Sequence, residues 1–400
     1  MTITLFQFVR WLVAVSALAP MIAAQNLPGN SDILFAGTYT AKDSKGIYAY
    51  RFDAPSGELT PLGLAAETAN PSFLAIDRTH RYLYAVNEVQ NFEGAKTGAV
   101  SAFTIDGKTG KLSLLNQVAS EGADPCYVSF DKTGKYLLVA NYTGGTVAVF
   151  PIQKDGRLSK ASSVMYDKGA LGPNKERQDA PHSHWIEASS DNRSVYVSDL
   201  GLDRVLVYGF DAANGKLRNE AGGVLRDGKV TAGGLAAAVL TPGTGPRHVA
   251  FSQDGNFMYV LGELDSNVSV FAVGEKHSFD LLQRISALPA GFSSHNDAAE
   301  IAVHPNGKYL YSSNRGDDSI AAFSIDGKSG NLTLIGRFPT QGKVPRHFEI
   351  DPSGNFLLVA NQESNNVVVF RLDPNSGKLA ATGQQLTVPS PVCLKFMSAD

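Results

Sequence analysis

One short pattern recurs along this chain and limits what it can fold into. Its clearest copy runs from Gly245 to Glu263. A brief apolar run, Val249 to Phe251, is followed by an Asp254-Gly255 turn and a second apolar run, Phe257 to Leu261. This is the pattern of an antiparallel hairpin. Arg247 and His248 open the first strand and Glu263 closes the second, so antiparallel pairing brings all three to one edge of the sheet.

Five more copies begin near Asn70, Asp124, Ala180, Asp297 and Val344. Each is followed by a third strand of alternating apolar residues, such as Thr146 to Phe150 or Asn366 to Phe370, and then by a Gly-Lys-Leu or Gly-Arg-Leu turn into a fourth. Four strands repeating every roughly 46 to 65 residues make the unit of a propeller blade. The ends supply one more. Asp32 to Thr38 reads as a second strand with no first, and Pro389 to Phe396 as a first strand with no second. The expected fold is therefore all-β: a seven-bladed β-propeller with four antiparallel strands per blade, the last blade closed by the N- and C-terminal segments. Closure leaves no open inner edge, so residues 25–400 should form a single domain. The 39 glycines, many in Asp-Gly or Ser-Gly pairs, agree with so many tight turns.

Ahead of the repeats, Arg10 precedes an apolar run from Trp11 to Ala19, and Ala23-Ala24 precede Gln25. Counted on to Ala24, about 14 residues, this stretch is too short to span a bilayer and suits a signal-peptide core. Residues 1–24 are thus expected to be an export signal, and the mature chain to work in the periplasm or outside the cell without a membrane span. A net charge of -3 and the lack of a long basic run give no reason to expect nucleic acid. The two cysteines, Cys126 and Cys393, fall on innermost strands of separated blades, too far apart to bridge. Free thiols and a monomer are expected.

Propeller geometry gathers the polar residues at one mouth. The residues following each repeat's proline form one ring: Ser72, Cys126, His182, Arg247, Arg346 and, level with His248, Glu300. Residues ending the second strands form another: Asn87 with Glu88, Asn141 with Tyr142, Asp199, Glu263, Asn314 with Arg315, and Asn361 with Gln362. The long connections Asp167–Asp179, Gly222–Thr244, Ser286–Asn296 and Val89–Gly98 should open at this same mouth, where a rigid scaffold usually carries its binding site. The opposite face carries only short turns.

The stretches Gly245 to His248, Gly262 to Ser266, Ala299 to Gly316 and Val344 to Phe348 resemble the seven-bladed propeller lactonases. The best-known member of that family is the propeller-type 6-phosphogluconolactonase, and fungal carboxy-muconate cycloisomerase is a relative. The resemblance covers the chain from about Asp32 to Phe396. It implies a cofactor-free, metal-free hydrolase opening a sugar lactone, such as 6-phospho-D-glucono-1,5-lactone. By similarity, the proposed active-site groups fall on His182 (less surely His184), Arg247, Glu263 and Arg315.

Opening a lactone needs an activated water, a partner for the oxyanion and a grip on the substrate's polar tail. A carboxylate among arginines is a weakened base, so His182 or His248 is better matched near neutral pH; His182 is assigned as base, with Glu263 orienting it or sharing the role and Arg247 stabilising the developing charge. Arg315, Arg346 and His347 would hold a phosphate or carboxylate. His248, Glu300, Asn87, Asn141, Asp199 and Asn314 complete the expected substrate-binding set. Each has a plainer reading: the charged residues as ion pairs between blades, the asparagines as strand caps, and His184 as a structural residue. His80 and His304 are expected at the surface. A zinc site from His182 and His184 would need His295 or Asp297 as third ligand. A non-catalytic binding propeller and a lactone-forming cycloisomerase are the competing functional readings.

Overall fold

The computed structural model describes residues 31–40, 43–219, 221–226, 229–235 and 237–398. The repeated hairpins are the inner halves of seven four-stranded antiparallel blades. A typical blade runs outward from Pro246–Phe251 through Phe257–Gly262 and Asn267–Val273 to Phe279–Ser286. In the closing blade, Pro391–Met397 is innermost and pairs with Asp32–Thr38, followed by Gly46–Asp53 and Glu58–Glu67. The two termini thus share one sheet, as the orphan strands required. The export signal expected at residues 1–24 lies outside the described residues.

Second strands such as Tyr136–Asn141 and Phe356–Asn361 are buried along their whole length. They pack on both faces, which explains their continuous apolar sequence. Blade-to-blade contact explains the Gly-Lys-Leu turns. Gly215 and Gly377 have φ of +63° and +68°, and an added Cβ would stand 2.2 Å from the Tyr136 ring and 2.5 Å from the Tyr309 ring of the preceding blade. Only glycine fits both the backbone and the space. Tyr84 and Tyr311 add hydrogen bonds across the same seams, to the carbonyls of Gly156 (2.8 Å) and Gly377 (3.1 Å).

A second repeated device decides which side chains reach the mouth. Six innermost strands carry a β-bulge at their mouth end, between Pro125 and Tyr127, Ser183 and Trp185, Pro246 and Val249, Ala298 and Ile301, Pro345 and His347, and Pro391 and Cys393. A bulge leaves a residue unpaired and breaks the two-residue alternation. Pro125, Ser183, Pro246 and Pro345 occupy the same pairing position, opposite Asn141, Asp199, Gly262 and Asn361. Cys126, His184, Arg247 and Arg346 are therefore level with one another. The sequence alignment on Pro181, which put His182 in this ring, was two residues out of register.

The connection expected at Gly222–Thr244 also differs. In the third blade, Arg204–Asp211 pairs with two short outer segments, Lys216–Asn219 and Ala237–Val239. Tyr208 faces Asn219 and Leu206 faces Ala237, and the chain between forms its own hairpin, Ala221–Arg226 with Lys229–Leu235. Other blades place a one-residue bulge here, for example opposite Val270 and Phe271, which pair with Gln283 and Leu281. The insertion thus widens a bulge on the outer edge, and only the short segment after Val239 runs to the mouth. Cys126 and Cys393 are both buried and free. Among the described residues, no helix is long and apolar enough to cross a membrane.

Candidate active site

The channel opens into two hollows that share no lining residue. The larger, about 710 Å³, lies at the end bounded by the hairpin turns around Ser190 and Asp254 and holds Glu187 and a Lys395–Glu349 ion pair of 2.9 Å. The opposite face is therefore hollowed, where only short turns were expected. The smaller, about 320 Å³, lies at the mouth and is lined by Tyr39, Glu88, Cys126, Tyr142, Arg177, His184, Glu263, Asp297, Arg315 and Arg346. It gathers the guanidiniums, and the bulge and the strand ends explain its wall. Cys126, His184 and Arg346 come from the bulges. Tyr39, Glu88, Tyr142, Glu263 and Arg315 each stand one residue beyond a second strand.

Glu263 is the electrostatic centre. Its Oε1 lies 2.5 Å from Arg177 Nη2 and 3.1 Å from Arg315 Nη2, and its Oε2 lies 3.1 Å from Arg247 Nε. Burial alone would raise its pKa, but Arg315, Arg247 and Arg177 outweigh burial and hold it at about 2. Glu263 is a fixed anion with no capacity left for a proton at neutral pH. Arg177 comes from the connection before the third blade, a stretch the sequence marked only as a long loop. That loop sits tightly on the chain around Gly201. Gly172 N–H donates to Gly201 O (2.9 Å), Gln178 Nε2 donates to Leu200 O (2.9 Å), and a Cβ on Gly201 would stand 1.8 Å from the Ala180 carbonyl. Arg177 also reaches Asp297 at 3.3 Å, so it spans from the third blade's entrance to the connection before the fifth.

Behind Glu263 lies a buried chain. Arg247, only 3 % exposed, donates from Nη1 to the Ala299 carbonyl and to His248 Nε2 (3.3 Å). His248 Nδ1–H then donates to Glu300 (3.0 Å), which also receives His347 Nε2–H (3.2 Å), while His347 Nδ1 accepts from the Leu394 amide (3.3 Å). Burial, the first cause for each ring, lowers His248 to about 4 and His347 to about 3, so both are neutral donors. Glu300 is held at about 2 because His248, His347 and Lys395 outweigh its burial. His248, Glu300 and His347 were expected to bind substrate. None of the three lines the mouth cleft: His248 joins Arg247 to Glu300, and Glu300 and His347 line the larger hollow on the other side, while Arg247 meets Glu263 from behind rather than lining the cleft.

The second-strand asparagines are stitches. Asn87 Nδ2 donates to the Ala69 carbonyl (2.5 Å), Asn141 to Ser120 (2.9 Å), Asn314 to Ala287 (3.2 Å) and Asn361 to Thr340 (3.2 Å). All are at most 1 % exposed, and none lines the cleft; each ties its own strand end to the incoming outer strand. Asp199, also expected at the substrate, is buried and accepts the His182 and Leu202 amides (3.0 and 2.9 Å).

His182 does not touch Glu263. It stacks on Tyr142 at 4.5 Å, and its two ring nitrogens face the Tyr142 carbonyl (3.1 Å) and Asp179 (3.0 Å). His184 lines the hollow, is 4 % exposed, and leaves Nδ1 without a partner. Burial, then Arg247, His248 and Arg346, hold its pKa well below the ordinary value, so it is neutral at pH 7. The residue read as structural is the one with a free acceptor at the cleft. His304, expected at the surface, is buried, with Nε2 2.8 Å from the Gly354 carbonyl and Nδ1 accepting from Asn306 N–H (3.0 Å). His295 pairs with Asp297 at 3.0 Å, and among the described residues no three His, Cys, Asp or Glu side chains cluster to hold a metal.

Arg346 is the converse of His184. Its guanidinium lies 5.2 Å from the Tyr39 ring centre, a cation–π distance, and among the described residues no carboxylate pairs with it. Burial works against its charge, but Tyr39, Glu88 and Glu263 outweigh that and raise its pKa.

Comparison with known proteins agrees with this architecture over nearly its whole length. Residues 33–396 match the family described as lactonase, 7-bladed beta-propeller. The chain is 35% identical over 367 residues to a 6-phosphogluconolactonase of Bacillus subtilis, covering 91% of this chain and 97% of that protein. It is 36% identical over 322 residues to a 6-phosphogluconolactonase of Formosa agariphila, covering 80% and 86%. Among solved structures, the periplasmic gluconolactonase of Pseudomonas aeruginosa superposes with a TM-score of 0.83 at 35% identity, over 92% of this chain and 100% of that one. Closed blades, bulged inner strands and a mouth lined by Arg, His and Glu thus occur in a sequence that matches throughout, and the chain belongs to the seven-bladed β-propeller lactonase family.

Proposed function

We propose that this protein hydrolyses a sugar lactone of the kind its relatives are named for, 6-phosphogluconolactone or gluconolactone. One pairing carries the reading: among the described residues, the cleft-lining His184 has no hydrogen-bond partner for Nδ1, and no carboxylate pairs with the cleft-lining Arg346. Hydrolysis needs a proton acceptor and a partner for the oxyanion. His184 Nδ1 takes a proton from water as the water oxygen bonds to the lactone carbonyl carbon. The carbonyl oxygen becomes an oxyanion facing the Arg346 donors. The ring C–O bond then breaks, the ring oxygen takes the proton back from His184, and the product is an open hydroxy acid. Glu263 takes no proton; it fixes Arg177 and Arg315 around the cleft, where they offer charge to an anionic tail.

A pH-stat assay on glucono-1,5-lactone and its 6-phosphate tests this. Turnover above the spontaneous rate on at least one of them is expected, falling about 100-fold or more in His184→Gln. No turnover of either sinks the proposal. The N-terminal sequence supports a further reading, that the enzyme acts outside the cytoplasm on a lactone formed there; finding the full chain, uncleaved, in the cytoplasm would refute it.

A further inference from the structure

We propose that Glu88, held by Tyr39, reads a hydroxyl on the carbon next to the lactone carbonyl, so the cleft selects polyhydroxy lactones over bare ones. This rests on the hydrolase reading above, in which Arg346 faces the carbonyl oxygen. Glu88 is fixed at its backbone: its N–H donates to the Asn70 carbonyl (3.0 Å), and Asn70 Nδ2 donates to the Glu88 carbonyl (3.1 Å). Its Oε1 accepts the Tyr39 hydroxyl (2.8 Å), and the same Tyr39 ring lies under the Arg346 guanidinium. Oε2 is buried, belongs to a cleft-lining residue and, among the described residues, has no donor. A buried carboxylate oxygen without a donor is unfavourable until something supplies one.

The other acceptors at the cleft are committed. Glu263 is surrounded by three guanidiniums, and His184 Nδ1 faces the attacking water in the proposed reaction. Glu88 Oε2 is left to receive a substrate O–H. Tyr39 links the unmatched acceptor to the unmatched donor, Arg346, and so places them side by side. A carbonyl oxygen and a hydroxyl on the next carbon form the complementary pair. A phosphate does not: it offers only acceptors and would meet the Glu88 charge. A site built to bond a hydroxyl discriminates strongly against analogues lacking it.

The test is equilibrium binding of two uncleavable analogues, glucono-1,5-lactam and δ-valerolactam, alongside the hydrolysis assay. The wild type is expected to prefer the gluconolactam. Glu88→Gln should weaken gluconolactam binding roughly tenfold or more while changing δ-valerolactam binding by less than about twofold. Tyr39→Phe, which keeps the ring under Arg346 but frees Glu88, should weaken the gluconolactam by a smaller factor. Equal binding of gluconolactam by Glu88→Gln and wild type overturns the assignment, and so does equal weakening of both lactams. If the wild type opens no lactone yet binds gluconolactam through Glu88, the hydrolase reading falls and the subsite stands. If it opens glucono-1,5-lactone while Glu88→Gln keeps the full preference, the subsite falls and the hydrolase reading stands.

Discussion

Arg177 Nη2 meets Glu263 Oε1 at 2.5 Å, joining the loop before the third blade to the end of a strand in the fourth. Of the three guanidiniums on Glu263, Arg177 is the most exposed, at 33% of its side chain against 12% for Arg315 and 3% for Arg247. Arg247 and Arg315 remain on the carboxylate without it. Arg177→Ala should therefore cost little stability, because the buried carboxylate keeps two guanidinium partners and only the outermost one is lost. Its effect should appear on substrates with an anionic tail. We expect KM for 6-phosphoglucono-1,5-lactone to rise about tenfold, the scale of one lost charge-assisted hydrogen bond, with a much smaller change for the unphosphorylated lactone. Equal changes for both would show that Arg177 only shapes the loop.

His184 makes a prediction about pH. A histidine with an ordinary pKa near 6.5 imposes an acid limb on kcat/KM just below neutrality. Burial first, then the neighbouring Arg247, His248 and Arg346, hold His184 well below that value, so the acid limb should lie at lower pH than an ordinary histidine's, with none centred near 6.5. His184→Gln should lower kcat about 100-fold or more, and His182→Gln, which loses contacts to Tyr142 and Asp179, should lower it far less. An acid limb centred near 6.5 would remove the base role from His184, and the reverse ranking of the two variants would return it to His182.

The repeats made the propeller legible because each blade buries the same apolar pattern and each turn needs the same glycine. The closing blade followed from two half-hairpins at opposite ends of the chain. The site was legible by location and only partly by residue. Glu263, Arg315 and Arg346 were placed correctly at the cleft. His184 was legible only as the less sure alternative to His182, because a bulge is a fault in backbone pairing, with no side-chain signature of its own; Pro181, two residues early, looked like the repeat's proline. The asparagines were misread for a different reason. Strand alternation sends neighbours to opposite sides, so if Arg315 and Glu263 face the cleft, Asn314 and Gly262 cannot. Applied to the first and second blades, the same rule selects Glu88 and Tyr142 over Asn87 and Asn141. Arg177 gave no signal, since its partners lie 86 and 120 residues away.

Beneath the His182 stretch, Asp167 and Asp199 form a buried acid pair. Asp167 accepts Tyr208 Oη–H (2.5 Å) and Ser183 Oγ–H (2.7 Å), while Asp199 Oδ2 has no donor. Burial first, then the Asp167 charge, raise Asp199 well above the usual carboxylate pKa, so it keeps its proton and can donate it to Asp167. In the unfolded chain both groups titrate near 3.9. Above that pH the unfolded state binds fewer protons than the folded state, so this pair makes stability fall as pH rises, up to the folded pKa of Asp199. Asp199→Asn replaces the protonated oxygen with a permanent N–H donor and keeps Oδ1 for the His182 and Leu202 amides. Wild type and variant should melt at similar temperatures near pH 4, and the variant should gain steadily towards pH 8. A difference that is flat with pH, or that grows towards acid, would mean that both carboxylates are ionised in the folded protein and that no proton is shared between them.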